Sequence, residues 1–295
     1  MGNIDLHFHT NNSDGAFPTD KILKMCEEKQ LEIISITDHD SVQSYFDIKT
    51  QNLEFNGKII PGVELSFCKD GTLYDVLGYG IDVDVVDVWI KEKYSTEQKI
   101  ANQKIILENM KVLYKKLGVK FDEGVEITTG KKAEAYNLIK QSALAFEENK
   151  IAAPELFGEM FYKRHHTNPQ SKFFVDETKN LPTLAECLDI IHNAGGISSL
   201  AHSGAYGFTN QEMINHINYA INCGVKALEL KYNCHTPEQE EIIEELAKKN
   251  NLYLTGGSDF HGGKIKPQVK LGVVYADKNI NAEKFENFLQ NVKYL

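Results

Sequence analysis

Short apolar runs of two different periods alternate along the N-terminal part of the chain. Ile4, Leu6 and Phe8 take every second position, the pattern of a strand with one buried face. Pro18-Thr19-Asp20 opens a helix in which Ile22, Leu23 and Cys26 face inward. Glu32 to Thr37 reads as a second strand that runs directly into Asp38-His39-Asp40. After another helix-like piece come the apolar run Lys58 to Leu65, with Glu64 near its end, and the run Tyr74 to Gly80. Strand-like runs that alternate with helical segments predict an α/β fold built on a parallel sheet or barrel.

From about Asp84 to Leu181 only the helical period persists. Ser95 to Leu117 has apolar positions at helical spacing with Gly118 as its stop, and further helical pieces lie near Lys132 to Glu148 and Pro154 to Arg164. This stretch reads as a helical insertion over residues 95–180, leaving 1–94 and 181–295 as the α/β body. Beyond it the alternation resumes. Thr183 to Ala194 is a helix closed by Gly195-Gly196, and Ile197 to Ala201 is a strand that ends at His202. Val225 to Tyr232 is a strand followed by Thr236-Pro237-Glu238, a cap with proline at the first helical position. Leu252 to Thr255 leads into Gly256 to Gly262, and a strand from Val269 to Ala276 precedes a C-terminal helix.

Composition narrows the class. The 295 residues suffice for a full α/β barrel or two ordinary domains, and shares of 42% apolar and 25% charged residues are those of a water-soluble globule. The apolar runs are too short for a membrane span and no basic-then-apolar leader opens the sequence, so a cytoplasmic location, without membrane contact, is expected. The five cysteines are scattered without a C-x-x-C pair and read as reduced thiols. A net charge of −10 argues against a general nucleic-acid coat, but not against a small phosphorylated substrate neutralised by bound cations. Arg164 is the sole arginine among 32 basic residues, so bidentate phosphate recognition has one candidate.

The chemistry collects at strand ends. His7 and His9 are two apart, so a strand projects both imidazoles from one face, and Asp14 in the following Asp-Gly turn can aim a carboxylate back at them. Two nitrogens and an oxygen make half of a transition-metal site. His39, Glu64, Asp75, His202 and the pair Asp259/His261 likewise lie at or just beyond the C-terminal ends of predicted strands. In a parallel barrel those ends converge on one face. Five of the ten histidines fall there, which core packing does not explain.

The motifs Asp5 to Thr10 with Ser13-Asp14-Gly15, Thr37 to Asp40, Gly62-Val63-Glu64, Ala201-His202 and Gly257 to Gly262 together resemble the polymerase-and-histidinol-phosphatase (PHP) superfamily. The helical insertion is similar, more loosely, to the branch of metal-dependent phosphoesterases that act on nucleotides and short RNA. The resemblance implies a distorted (β/α)7 barrel with two or three divalent metals, usually zinc, manganese or iron. It assigns one metal to His7, His9, Glu64 and Asp259, a second to Glu64 and His202, and a third to Asp14, His39 and His261. Relatives typically carry histidine where this chain has Asp75, a harder donor that favours manganese or iron over zinc, and proline where it has Ser203.

The implied activity is hydrolysis of a small phosphate ester of nucleotide or nucleoside bisphosphate type by a metal-bridged hydroxide, with phosphate as a product and no obligate protein partner. A histidine or a metal-bound water is expected to protonate the leaving alkoxide; His202 and His235 are the histidines expected to be catalytic, His235 by giving that proton or by contacting substrate. Asp38 and Asp40 are expected to orient His39, Asp40 alternatively capping a helix, and Arg164, His165 and Lys132 to meet the substrate phosphate from the insertion. His192 and His216 read as structural. The rival readings are a 5'-3' exoribonuclease on short RNA, a histidinol-phosphate phosphatase and a metal-binding regulatory module without catalysis. A serine hydrolase is unsupported, since no G-x-S-x-G occurs.

Overall fold

The computed structural model describes residues 2–131, 133–158, 161–166, 168–178, 181–262, 267–274 and 278–295. It is a mixed α/β fold whose chain divides into two compact units: residues 1–69, 73–89 and 182–295, and residues 70–72 and 90–181.

In the first unit, β1 (Asn3–Phe8), β2 (Leu31–Ile36) and β3 (Lys58–Ile59) form a parallel three-stranded sheet, with α1 (Thr19–Glu28) and α2 (Gln43–Thr50) in the connections. A second sheet has the order β4 (Gly62–Lys69), β5 (Thr72–Tyr79), β6 (Ile197–Leu200), β7 (Ala227–Lys231), β8 (Tyr253–Gly256). The single apolar run Lys58 to Leu65 thus becomes two strands in two sheets. Pro61 has no N–H to continue a ladder, so the chain leaves β2 there and starts afresh at Gly62.

The expectation of an all-parallel arrangement fails at β5, which is antiparallel to β6. The cause is local: Asp70 (φ 51°) and Gly71 (φ 78°) make a two-residue turn with both residues in the left-handed region, which folds β5 straight back beside β4. Strands β6, β7 and β8 are parallel, connected by α8 (Asn210–Cys223) and α9 (Pro237–Lys249), with α7 (Leu184–Asn193) leading into β6. Thr236 caps α9, as expected, and Thr183 caps α7, both through capping boxes.

Backbone bonds stitch the facing edges of the two sheets together. Asp259 N–H donates to the His7 carbonyl at 2.6 Å and His9 N–H to the Phe260 carbonyl at 2.9 Å, while Asp40 N–H donates to the Glu64 carbonyl at 2.8 Å. These bonds bring the end of β1, the segment after β2, the start of β4 and the loop after β8 to one place. Gly257 permits the approach, since a Cβ there would stand 2.2 Å from that of His7.

Helix α3 (Val83–Lys93) precedes α4 (Thr96–Lys116), which is capped by Ser95 and, in the second unit, packs on α5 (Glu134–Leu144) around Ile106, Leu107, Met110, Tyr114, Ile139 and Phe173, with the short α6 (Asn149–Ala152) following. The helix expected over Pro154 to Arg164 is instead a 3-10 turn (Pro154–Phe157) and a π-helical turn (Tyr162–His166), with 159–160 outside the described residues. Among the described residues no helix is long and apolar enough to cross a membrane.

Candidate metal centre

The stitched strand ends hold three overlapping groups of donor atoms: His7, His9, Glu64 and Asp259; His9, Asp14, His39 and His261; and His39, Glu64 and Asp75. Within each group the atoms lie within 4.8 Å of one another. Glu64, His9 and His39 each belong to two groups, so the three positions are neighbours.

Glu64 is fully buried, and its Oε2 lies 3.2 Å from His7 Nε2, 3.2 Å from His9 Nε2 and 3.3 Å from His39 Nδ1. Its Oε1 lies 2.9 Å from His202 Nε2, which in turn is 3.9 Å from Asp75 Oδ2. Asp259 Oδ1 sits 3.2 Å from His9 Nε2 and 3.3 Å from His261 Nδ1, and Asp14 Oδ1 sits 3.1 Å from His261 Nε2. The floor of the cluster is sealed. Its outer side is open, with the Asp14 side chain 45% and that of His39 30% exposed.

Among the described residues, both ring nitrogens of His9 and Nδ1 of His202 are buried and make no well-aligned hydrogen bond. A buried polar atom left unpaired costs about 1–3 kcal/mol, so this arrangement asks for something that the protein atoms do not provide. Imidazole lone pairs among carboxylate oxygens at 3.2–3.6 Å are a donor set for a divalent cation, and the residues fit one.

The electrostatics point the same way. Burial works against charge on His9, but Asp259 and Glu64 raise its pKa to about 9. Burial likewise opposes charge on His7, yet Glu64, Glu229 and Asp259 hold its pKa well above the ordinary imidazole value. Glu64 and Asp259 stay well below the usual carboxylate range despite burial, chiefly through His7. Asp75 is raised by its burial and by the Glu64 charge. Without a cation the cluster gathers protons, and a metal competes with them for the same atoms.

Other expected site residues turn out to brace the cluster. Asp38 accepts hydrogen bonds from Thr10 N–H and Oγ1 and from Ser13 Oγ, each at 2.7 Å, and from Ser44 Oγ. It therefore fixes the turn that carries Asp14, where an orienting contact to His39 had been expected. Asp40 (φ 44°) accepts from Ser66 N–H at 3.3 Å, and the position before α2 is taken by Val42, so Asp40 is no helix cap.

His235 needs correction as a proton donor. It is fully buried, its Nδ1 is 3.0 Å from the Leu230 carbonyl, and its Nε2 accepts from Gly204 N–H at 3.1 Å. With both nitrogens engaged by backbone, it has no proton to offer a substrate. Burial lowers its pKa. Arg164 and His165 lie in the second unit, on the π-helical turn; Arg164 is exposed and His165 Nδ1 is 3.4 Å from Ser171 Oγ. Lys132 lies outside the described residues.

A family model described as the PHP domain matches residues 5–254. The chain belongs to the PHP domain family. It is 25% identical over 263 residues to a 5'-3' exoribonuclease of Haemophilus influenzae, covering 87% of this chain and 89% of that one. It is 22% identical over 277 residues to a 3',5'-nucleoside bisphosphate phosphatase of Chromobacterium violaceum, covering 88% of each. In fold it is similar to a solved amidohydrolase of Chromobacterium violaceum with bound sulfate and no metal, at a TM-score of 0.60 and 19% identity over 97% of this chain and 96% of that one.

Three residues of this PHP centre escape local sequence reasoning. Glu229 in β7 reaches His7 Nδ1 at 2.8 Å and accepts from His202 N–H at 2.7 Å. Tyr232 donates its hydroxyl to Asp259 Oδ2 at 2.8 Å. Asp5, buried and raised to about 6 by that burial, accepts from Ser258 N–H and Oγ and from Gly272 N–H. The available signal was a lone carboxylate within an apolar run: Glu229 stands between Leu228 and Leu230, and all three are fully buried.

Proposed function

We propose that this PHP protein is a metal-dependent phosphoesterase that hydrolyses a small phosphate ester of nucleotide or nucleoside bisphosphate type. The observation that carries the reading is the set of three adjoining donor groups that share Glu64, His9 and His39 and open to solvent at Asp14 and His39. In this reading β1, β2 and β4 to β8 form a distorted seven-stranded barrel, with the helical segment 95–180 as a substrate subdomain.

Two or three divalent ions, manganese, zinc or iron, would be held by His7, His9, Glu64 and Asp259, by Glu64, His202 and Asp75, and by Asp14, His39 and His261. When bound, such ions lower the pKa of water and neutralise phosphate oxygens. The residues supply the rest. Glu64 and Asp259 keep their negative charge in a sealed floor, which fixes where cations and phosphate sit. Asp14 and His39 leave the outer side open to an ester. The leaving alkoxide takes its proton from solvent, since in this reading His202 gives its lone pair to a cation and His235 is sealed. Arg164 and His165 are the insertion's candidates for binding a substrate phosphate.

Exoribonuclease action on short RNA is the second reading, favoured by the 25% identical relative of that name. Metal analysis of the purified protein, with hydrolysis assays on phosphomonoesters, nucleoside bisphosphates and short RNAs, separates them. Two to three metals per chain with turnover of a small ester support the first reading. Turnover confined to RNA supports the second. No turnover after manganese, iron or zinc is restored overturns both.

A further inference from the structure

Among the described residues, strand β7 and Tyr232 just beyond it give the donor groups of the centre no atom, yet together they reach three of the residues that do. Glu229, fully buried, spans His7 Nδ1 at 2.8 Å with Oε1 and the His202 backbone N–H at 2.7 Å with Oε2. Leu230 turns its carbonyl to His235, whose other nitrogen accepts from Gly204 N–H, two residues beyond His202. Tyr232 holds Asp259. We propose that Glu229 is a positioning residue that fixes two metal donors at once, by setting the ring tautomer of His7 and holding the turn that carries His202. This rests on the reading of the cluster as a metal centre.

The chemistry is specific to a carboxylate. An imidazole can give its Nε2 lone pair to a cation only while Nδ1 keeps the proton, and that N–H needs an acceptor. Glu229 Oε1 is that acceptor, and His7 Nε2 is left facing Glu64 at 3.2 Å. His202 meanwhile has a φ of 26°, a sparsely populated backbone that persists only where its surroundings enforce it. Glu229 Oε2 does so through the amide of the same residue. Both tasks need an acceptor, and water has no access.

Glutamine has one acceptor oxygen and so can do only one of them. If its oxygen faces His202 N–H, its amide N–H points at His7 Nδ1, which must then give up its proton to Nε2 and lose the ligating lone pair. If the oxygen faces His7, two N–H groups meet at His202.

The test uses the full chain after chelation, as wild type and Glu229→Gln, titrated with MnCl2 and with ZnCl2 by calorimetry, with circular dichroism for folding. The expected result is a folded variant whose affinity for both ions is weaker by about 10- to 100-fold. A second measurement does not depend on the variant: histidine-ring 15N spectra of the zinc-loaded wild type should show His7 protonated at Nδ1 and ligated through Nε2. Equal affinity and stoichiometry in a folded Glu229→Gln, or a His7 ligated through Nδ1, overturns the proposal while leaving the metal reading intact. A wild type that binds neither ion overturns that reading and this proposal with it.

Discussion

Glu64 Oε1 lies 2.9 Å from His202 Nε2, while the other oxygen of the same carboxylate lies within 3.3 Å of nitrogens on His7, His9 and His39. One side chain therefore joins both sides of the cluster. Substituting Glu64→Gln is expected to lower metal-supported hydrolysis by more than about 100-fold, because even residues that merely orient ligands are worth about 10- to 100-fold. Steady-state kinetics with a circular dichroism control checks this, and full activity in a folded variant sinks the assignment.

Removing metal should cost both activity and stability. A ligand present at 100 times its dissociation constant stabilises the folded state by about 2.7 kcal/mol, several degrees in Tm for a chain of this size. Chelator should abolish turnover and lower Tm, and manganese, zinc or iron should restore both. An unchanged melting curve after complete metal removal counts against a structural contribution.

Asp75 accepts a hydrogen bond from Ser66 Oγ at 2.8 Å and faces His202 Nε2 at 3.9 Å. Asp75→Asn keeps the shape and removes the charge. The expected outcome is about 10-fold weaker metal binding on the Glu64–His202 side, with the His7–His9 side unaffected. A titration in which every binding step is unchanged would show that Asp75 is not a donor.

His216 is buried among the rings of Phe67, Tyr74, Tyr206 and Phe208, and burial lowers its pKa to about 4. The unfolded chain takes up a proton near pH 6.5 that the folded chain refuses until about pH 4. Stability therefore falls as pH drops through that window, by up to about 3 kcal/mol from this group. His216→Phe should flatten this limb of the stability profile. Denaturant unfolding of both proteins at pH 7 and pH 4.5 measures it, and parallel profiles would refute it.

Arg164 is exposed and is the sole arginine. If it meets the substrate phosphate, Arg164→Ala should raise KM about 10-fold with little change in kcat, as expected for binding that is uniform between ground and transition state. An unchanged KM removes it from the site.

What the sequence determined by itself is what depends on short range. The His7/His9 pair at the end of β1, the helix starts at Ser95, Thr183 and Thr236, and the donors near strand ends follow from local period and turn chemistry. Tertiary structure decided the pairings. Glu64 meets His7 across 57 residues and Glu229 meets His7 across 222, distances in sequence over which no periodicity carries information. It also decided direction and role. Asp70-Gly71 turned β5 antiparallel, Pro61 split one apolar run between two sheets, and the backbone around His235 used both of its nitrogens. The physical reason is that a side chain's chemistry is fixed by its partners and its access to water, and both are set only when strands distant in sequence close on one another.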